Sequence, residues 1–254
     1  IFQDVNGFKA KIPVVTIGIF DGVHLGHIKI LERLKRIAFR TGGETVVVTL
    51  WPHPRLVLGK NKDAIQLLST LEEKIRLIEK NGIDNMIILP FSRDFANISY
   101  DEFIRKYLVD GIKARNIIVG YNHHFGKDRK GGFEQLKNNA DRFGFTVERQ
   151  PPVIIENKTV SSSMIRKLIG EGNVVLANKL LGYLYAVEGR VIEGKKIGKQ
   201  LGFPTANIKV NGKNKMIPLA GVYAVKAEIE NREYKGMLNI GIRPTIEEQN
   251  HDFT

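Results

Sequence analysis

From residue 14 to about residue 150 the chain repeatedly changes its hydrophobic period, from short apolar β-branched runs to stretches in which apolar residues recur every three or four positions. Each change marks a passage from strand to helix. The runs predict strands at Val14–Phe20, Glu44–Leu50, Asn85–Phe91, Asn116–Gly120 and Phe145–Arg149. Helical spacing predicts helices at His27–Arg40, Leu71–Lys80, Tyr100–Val109 and Phe133–Arg142. Ser99 with Glu102, and Ser69 with Glu72, have capping-box spacing and mark two helix starts. Strands alternating with helices specify α/β architecture: a doubly wound parallel sheet with ligands at the carboxyl ends of its strands. The apolar stretch Val174–Leu181 predicts one more helix. Beyond Gly182–Tyr185 the pattern changes, and Ala186–Ile192, Val222–Ile229 and Tyr234–Ile240 read as strands separated by Gly, Asn and Pro with no helical period. Two domains are predicted, residues 1–183 of α/β type and residues 184–254 of antiparallel β type.

Composition narrows the partners. At 254 residues the chain can bury two ordinary cores, and with no Cys it has neither disulfides nor thiolate metal sites, which suits a reducing compartment. No apolar run approaches the roughly 20 residues that span a bilayer. The opening IFQDVNGFKAKIPVV lacks the apolar centre of a signal peptide, so a cytoplasmic protein with no membrane partner is expected. It also lacks an initiating Met, which predicts residues upstream. The net charge of +12 is spread over helix faces and loops, without a dense aromatic-laced block, so small anionic ligands are expected in preference to nucleic acid.

Candidate chemistry concentrates in Gly18 to His27, GIFDGVHLGH, where an apolar strand joins an amphipathic helix through two glycines and two histidines. Such a turn offers an anion unpaired N–H groups and the positive end of a helix dipole. Gly22 and Gly26 let the backbone approach closely, and His24 and His27 can donate hydrogen bonds. Trp51-Pro52-His53-Pro54-Arg55 reads as a rigid loop over the same sheet edge, because its prolines remove donors and fix the backbone. There His53 has two readings, a ligand contact or a local structural role.

His24-Leu25-Gly26-His27 matches the H-x-G-H signature of the nucleotidylyltransferase superfamily. The longer G-x-F-D-G-x-H-x-G-H form resembles the bacterial bifunctional riboflavin kinase/FMN adenylyltransferases, or FAD synthetases. Three later segments are similar to the same family: Ser161 to Arg166 (SSSMIR), Gly198 to Asn207 (GKQLGFPTAN) and Asn239 to Thr245 (NIGIRPT). The resemblance implies a nucleotidylyltransferase domain followed by a six-stranded riboflavin kinase barrel. It implies transfer of AMP from ATP to FMN, giving FAD and pyrophosphate, and phosphorylation of riboflavin, with Mg²⁺ as cofactor. For the first reaction His24 and His27, with the N–H groups of the turn, are assigned to the ATP phosphates and Arg166 to the pyrophosphate side, and Gly18, Phe20, Asp21, Gly22 and Gly26 are counted among the ligand-binding residues. Ser162 and Ser163 would cap a helix and donate to phosphate, although a plain N-cap is sufficient for them. The loop from Gly120 to Gly131 is similar to the flavin-side loop, with Asn122 where many members have Asp and His123 where they have an aromatic residue. Phe125 there packs on the flavin or anchors the loop. His123 and His124 have no third ligand at recognisable spacing, which argues against a metal site. Thr159 stands where the family often has Arg. In the kinase part the resemblance assigns Gly198 and Lys199 to the nucleotide loop, and Thr205 and Asn207 to Mg²⁺ and ATP phosphate. The family's kinase base, a Glu downstream of the N-I-G-x-x-P-T segment, is expected beyond Thr254, since Glu247 and Glu248 lie in what reads as an exposed turn. The barrel is accordingly expected to be incomplete in this sequence. Two rivals remain: a nucleotidylyltransferase with another phosphate acceptor, such as phosphopantetheine or a nicotinate nucleotide, and a basic RNA- or flavin-binding module with a vestigial site.

Overall fold

The structure, a computed structural model, describes residues 1–59, 65–193 and 205–241. Strand β1 (Val14–Ile17) is wholly buried because both of its faces are covered. Val15 and Ile17 enter one core cluster and Val14 the other, as the two-residue side-chain period requires. Helix α1 (Leu25–Thr41) lays Ile30, Leu31, Leu34, Ile37 and Ala38 on the second face and ends at left-handed Gly42, whose N–H bonds Ala38 O. The chain continues through β2 (Thr45–Trp51), α2 (Pro54–Leu58), α3 (Leu71–Lys80), β3 (Asn85–Pro90), α4 (Arg93–Ala96) and α5 (Tyr100–Phe103). After π-helical turns at Ile104–Gly111 come β4 (Asn116–Gly120), a 3₁₀ turn at Lys127–Arg129, α6 (Phe133–Phe143) and β5 (Thr146–Gln150).

These five strands form one parallel sheet in the order β3-β2-β1-β4-β5. The order reverses between β1 and β4, and a crevice opens outside the carboxyl ends of strands at such a switch point. Both the Gly18–His27 turn and the loop after β4 begin at that crevice. The expected doubly wound α/β sheet is therefore present.

A small antiparallel hairpin, β6 (Ile154–Ile155) with β7 (Lys158–Thr159), leads to α7 (Ser162–Gly170) and α8 (Val174–Leu181). These helices form a third cluster with Leu68, Val160 and Met216. Beyond them lie two antiparallel pairs, β8 (Gly189–Ile192) with β9 (Asn207–Val210), and β10 (Gly221–Ile229) with β11 (Arg232–Ile240). The β10–β11 turn places Glu230 and Asn231 at φ 50° and 63°, the two left-handed residues of a tight hairpin. Among the described residues no helix is long and apolar enough to cross a membrane.

Several expectations are corrected. β1 stops at Ile17, because Phe20 at φ 52° has left the ladder. The Pro-rich segment is only partly a loop: Pro54 opens α2, a position where its missing N–H costs nothing. The capping box of α3 belongs to Thr70 and Glu73, one residue later than expected. Both pairs satisfy the S/T-x-x-E rule, and the tertiary role of Ser69 decides between them. The helix expected at Tyr100–Val109 widens into π turns after Phe103, and β9 was not anticipated as a strand.

Candidate functional site

The turn after β1 is a succession of unusual backbone conformations. Phe20, Gly22 and Val23 all have positive φ, 52°, 77° and 34°, and for β-branched Val23 that is a strained position. Gly22 is needed twice over, since a Cβ there would also lie 2.8 Å from the Leu68 side chain. Its N–H donates to Ser69 Oγ at 3.1 Å, and its carbonyl accepts from Tyr183 Oη at 2.5 Å. Phe20 is buried, and a Cβ on Gly18 would meet its ring at 2.9 Å. Packing around this turn holds the strain in place.

Asp21 is the hub. Its buried carboxylate accepts from Leu68 N at 3.0 Å, Ser69 N at 3.1 Å and Arg166 Nη2 at 2.7 Å, while its carbonyl accepts from Ser162 Oγ at 3.0 Å. The carboxylate, expected among the ligand-binding groups, is thus occupied within the protein, and it fixes the Arg166 guanidinium from α7. Ser161 is the N-cap of that helix, accepting from Met164 N at 3.2 Å. Ser162 and Ser163 are therefore not the caps they were expected to be. Ser162 ties α7 to the turn, and Ser163 is exposed.

His24 is the N-cap of α1, and its Nδ1 accepts from His27 N at 3.4 Å. A neutral ring that accepts at Nδ1 carries its proton on Nε2, as a donor. The His24 and His27 rings stack with centroids 3.7 Å apart, and a Cβ on Gly26 would come within 3.1 Å of the His24 ring. Burial pushes the His24 imidazole down to about 4, against an opposing pull from Asp21. Burial, then the neighbouring His24 and Lys74, holds His27 well below the ordinary 6.5. Both rings are neutral at pH 7. His27 Nδ1 and Arg166 Nε are buried and have no hydrogen-bond partner, which an anion's oxygens would supply at Arg166. Thr16 Oγ1, Glu73 Oε1 and His123 Nε2 share that condition.

Two further groups border this cluster. His53, the N-cap of α2, accepts from Arg55 N at 3.1 Å, and burial lowers it to about 4. It responds to the charges of Asp21, Arg166 and Lys74, so it belongs to the same neighbourhood. Lys74, on α3, was not anticipated. Its residue is only 1% exposed, its ammonium lies 5.1 Å from the centre of the Trp51 ring, and burial lowers it to about 8 against the pull of Asp21. The signal was in the sequence, a lysine on the stripe formed by Leu71, Ile75 and Ile78. Asn122 is exposed on the loop after β4, whereas Phe125 is buried against Phe103, centroids 5.3 Å apart, which supports its anchoring role. Thr205 is exposed and Asn207 begins β9; Gly198 and Lys199 lie outside the described residues. Among the described residues no group of three or more His, Asp or Glu side chains is arranged to hold a metal ion.

Residues 9–164 match the FAD synthetase family, and residues 181–254 match the riboflavin kinase family. The chain is 39% identical over 237 residues to the bifunctional riboflavin kinase/FMN adenylyltransferase of Bacillus subtilis (strain 168), covering 93% of this chain and 74% of that protein. It is 33% identical over 234 residues to the protein of the same name in Escherichia coli (strain K12), covering 92% and 74%. A crystal structure from Streptococcus pneumoniae, of a protein named for macrolide efflux, superposes with a TM-score of 0.87 at 31% identity, covering 96% of this chain and 79% of that one. By its sequence and its fold, the chain belongs to the FAD synthetase family.

Proposed function

We propose that this chain transfers AMP from ATP to FMN, giving FAD and pyrophosphate, and that its second part phosphorylates riboflavin to FMN. The observation that carries the first activity is the pairing of two neutral histidines with the Asp21-held Arg166 at the switch point of the sheet. In the reaction an FMN phosphate oxygen attacks the α-phosphorus of ATP, and the bond to the β-phosphate breaks. Two anions that repel each other have to be aligned, and charge on the leaving pyrophosphate stabilised. His24 Nε2–H and His27 donate to the phosphates without adding charge. Arg166 supplies the cation, with an orientation fixed by Asp21. Phe20, Gly22 and Gly26 shape the turn that admits the nucleotide. Asn122, at the far side of the crevice, contacts flavin or phosphate.

The domain division is proposed at residues 1–183 and 184–254, supported by the end of α8 at left-handed Gly182. The two antiparallel pairs β8–β9 and β10–β11 are read as parts of a riboflavin kinase barrel, which the family match at residues 181–254 supports. Thr205 and Asn207 offer oxygen donors, the chemistry Mg²⁺ selects, and would hold the ion that accompanies ATP in the kinase reaction. That ion would offset phosphate charge when bound. A cytoplasmic location, where ATP and FMN are at hand, is part of this reading.

The test is release of pyrophosphate from ATP, with FMN, phosphopantetheine and nicotinate mononucleotide offered separately. Release with FMN alone, accompanied by FAD, is expected. Release with another acceptor and not with FMN would replace this reading by the corresponding transferase.

A further inference from the structure

The segment that holds Asp21 is itself held from the far end of the chain. Leu67 N donates to Asn214 O at 2.6 Å and Met216 N donates to Leu67 O at 2.8 Å, an isolated parallel bridge between Leu67 and Lys215. Lys215 Nζ donates to Leu68 O at 2.8 Å and to Glu73 Oε2 at 2.7 Å, and it lies 4.5 Å from the centre of the Tyr185 ring. The Lys215 side chain is 2% exposed and that of Glu73 8%. Glu73 Oε2 also accepts from Thr70 N at 2.9 Å and so closes the capping box of α3. Leu68, whose carbonyl Lys215 holds, gives its N–H to the Asp21 carboxylate, and Asp21 holds Arg166. An unbroken series of contacts runs from Lys215 through Leu68 and Asp21 to Arg166.

Lys215 lies outside the residues that match the FAD synthetase family and inside those that match the riboflavin kinase family. A buried ion pair is weak evidence for stability, because desolvating both charges offsets their attraction. Its effect here is geometric. Between Gly59 and Leu71 the described backbone carries no helix, and its anchors include Asp21 on one side and the Asn214–Met216 strip on the other. Without the ammonium, Glu73 is left as a buried unpaired carboxylate and Leu68 O loses its donor.

We propose that Lys215 is a positioning residue for adenylyl transfer: the second part of the chain clamps residues 67–69 so that Asp21 presents Arg166 to the nucleotide. The inference rests on the reading of the site given above. It makes the state of the kinase part a determinant of how well the first site handles ATP.

The test uses the full chain, with the KM values for ATP and FMN in FAD formation as readouts. Lys215→Met should raise the ATP KM about tenfold, within the coupling that neighbouring residues show, and move the FMN KM much less. Glu73→Gln keeps an oxygen for the capping box but removes the charge, and should give a smaller change of the same kind. Each variant is then combined with Arg166→Ala. If Lys215 acts through Arg166, the double variant is no worse than Arg166→Ala alone. Additive losses in the cycle, or a Lys215→Met enzyme with a normal ATP KM, would overturn the inference. Should Lys215→Met fail to fold, the Glu73→Gln cycle decides on the same criterion. A wild-type chain that makes no FAD would overturn the reading of the site as well, whereas an active wild type with an additive cycle removes the Lys215 role alone.

Discussion

At the residue scale the proposed site would divide its labour between neutral donors, His24 and His27, and one cation, Arg166, oriented by Asp21. Burial keeps His24 and His27 uncharged, so on the proposed reading each would contribute a hydrogen bond and no net attraction to ATP in the ground state. Their effect should fall where charge develops. His27→Ala is expected to lower kcat for FAD formation about a hundredfold, the loss of about 3 kcal/mol typical of one preorganised donor. Stability should fall by much less than turnover, because the His27 N–H that His24 caps is kept and the loss is confined to packing on His24 and Phe20. A stable variant with near-normal turnover would remove His27 from the site. Arg166→Lys tests the cation. Lysine can keep one bond to Asp21, and Leu68 and Ser69 N–H still satisfy that carboxylate, so the fold should survive. The planar fork that holds Asp21 and, on the proposed reading, would also reach phosphate is lost, and a raised ATP KM with the FMN KM largely kept is expected. Equal loss for both substrates would make Arg166 structural.

At the scale of elements, the start of α7 separates capping from ligand contact. Ser161 accepts from Met164 N, and Ser163 is exposed one turn from Arg166. Ser161→Ala should therefore cost about 1 kcal/mol in thermal or urea unfolding. Ser163→Ala should leave stability unchanged, so a rise in ATP KM there marks a phosphate contact; the reverse pattern would exchange the two roles. Such assignments also show what the sequence made legible. Strand and helix periods are properties of ten or so consecutive residues, and they located the five parallel strands, α1 and α8. The turn at Gly18 to His27 was legible because glycine and histidine there have few structural alternatives. Register between equivalent caps was not, since Ser69–Glu72 and Thr70–Glu73 obey one local rule and the bonds of Ser69 to Gly22 and Asp21, 47 and 48 residues away, separate them. Lys74 was visible as a charge on an apolar stripe, yet its meaning depends on Trp51 and Asp21, which the fold brings near. The Lys215 contacts span 142 and 147 residues and leave no local pattern at all.

For the whole molecule, four imidazoles are held below their ordinary value by burial: His24, His53 and His123 at about 4, and His27 well below 6.5. In the unfolded chain each would titrate near 6.5. Between those values the unfolded state binds more protons than the native one, so stability rises with pH there. The contribution is fully present above about pH 6.5 and is lost as pH falls towards 4. Each deeply buried imidazole, His24 and His53 in particular, adds a slope of about 1.4 kcal/mol per pH unit within that window. Acid repulsion from the net charge of +12 acts too, but it grows chiefly once carboxylates protonate, below about pH 5. Urea unfolding at pH 7.5, 6.5, 5.5 and 5.0 isolates the histidine effect. Stability is expected to fall gently between the first two, where the unfolded imidazoles are only beginning to protonate, and steeply between the last two. His53→Gln, which keeps an acceptor for the α2 cap, should flatten the fall by about one proton's worth. A profile level down to pH 5 would mean that these rings are solvated or protonated in the native state, and the neutral-donor account of His24 and His27 would fall with it.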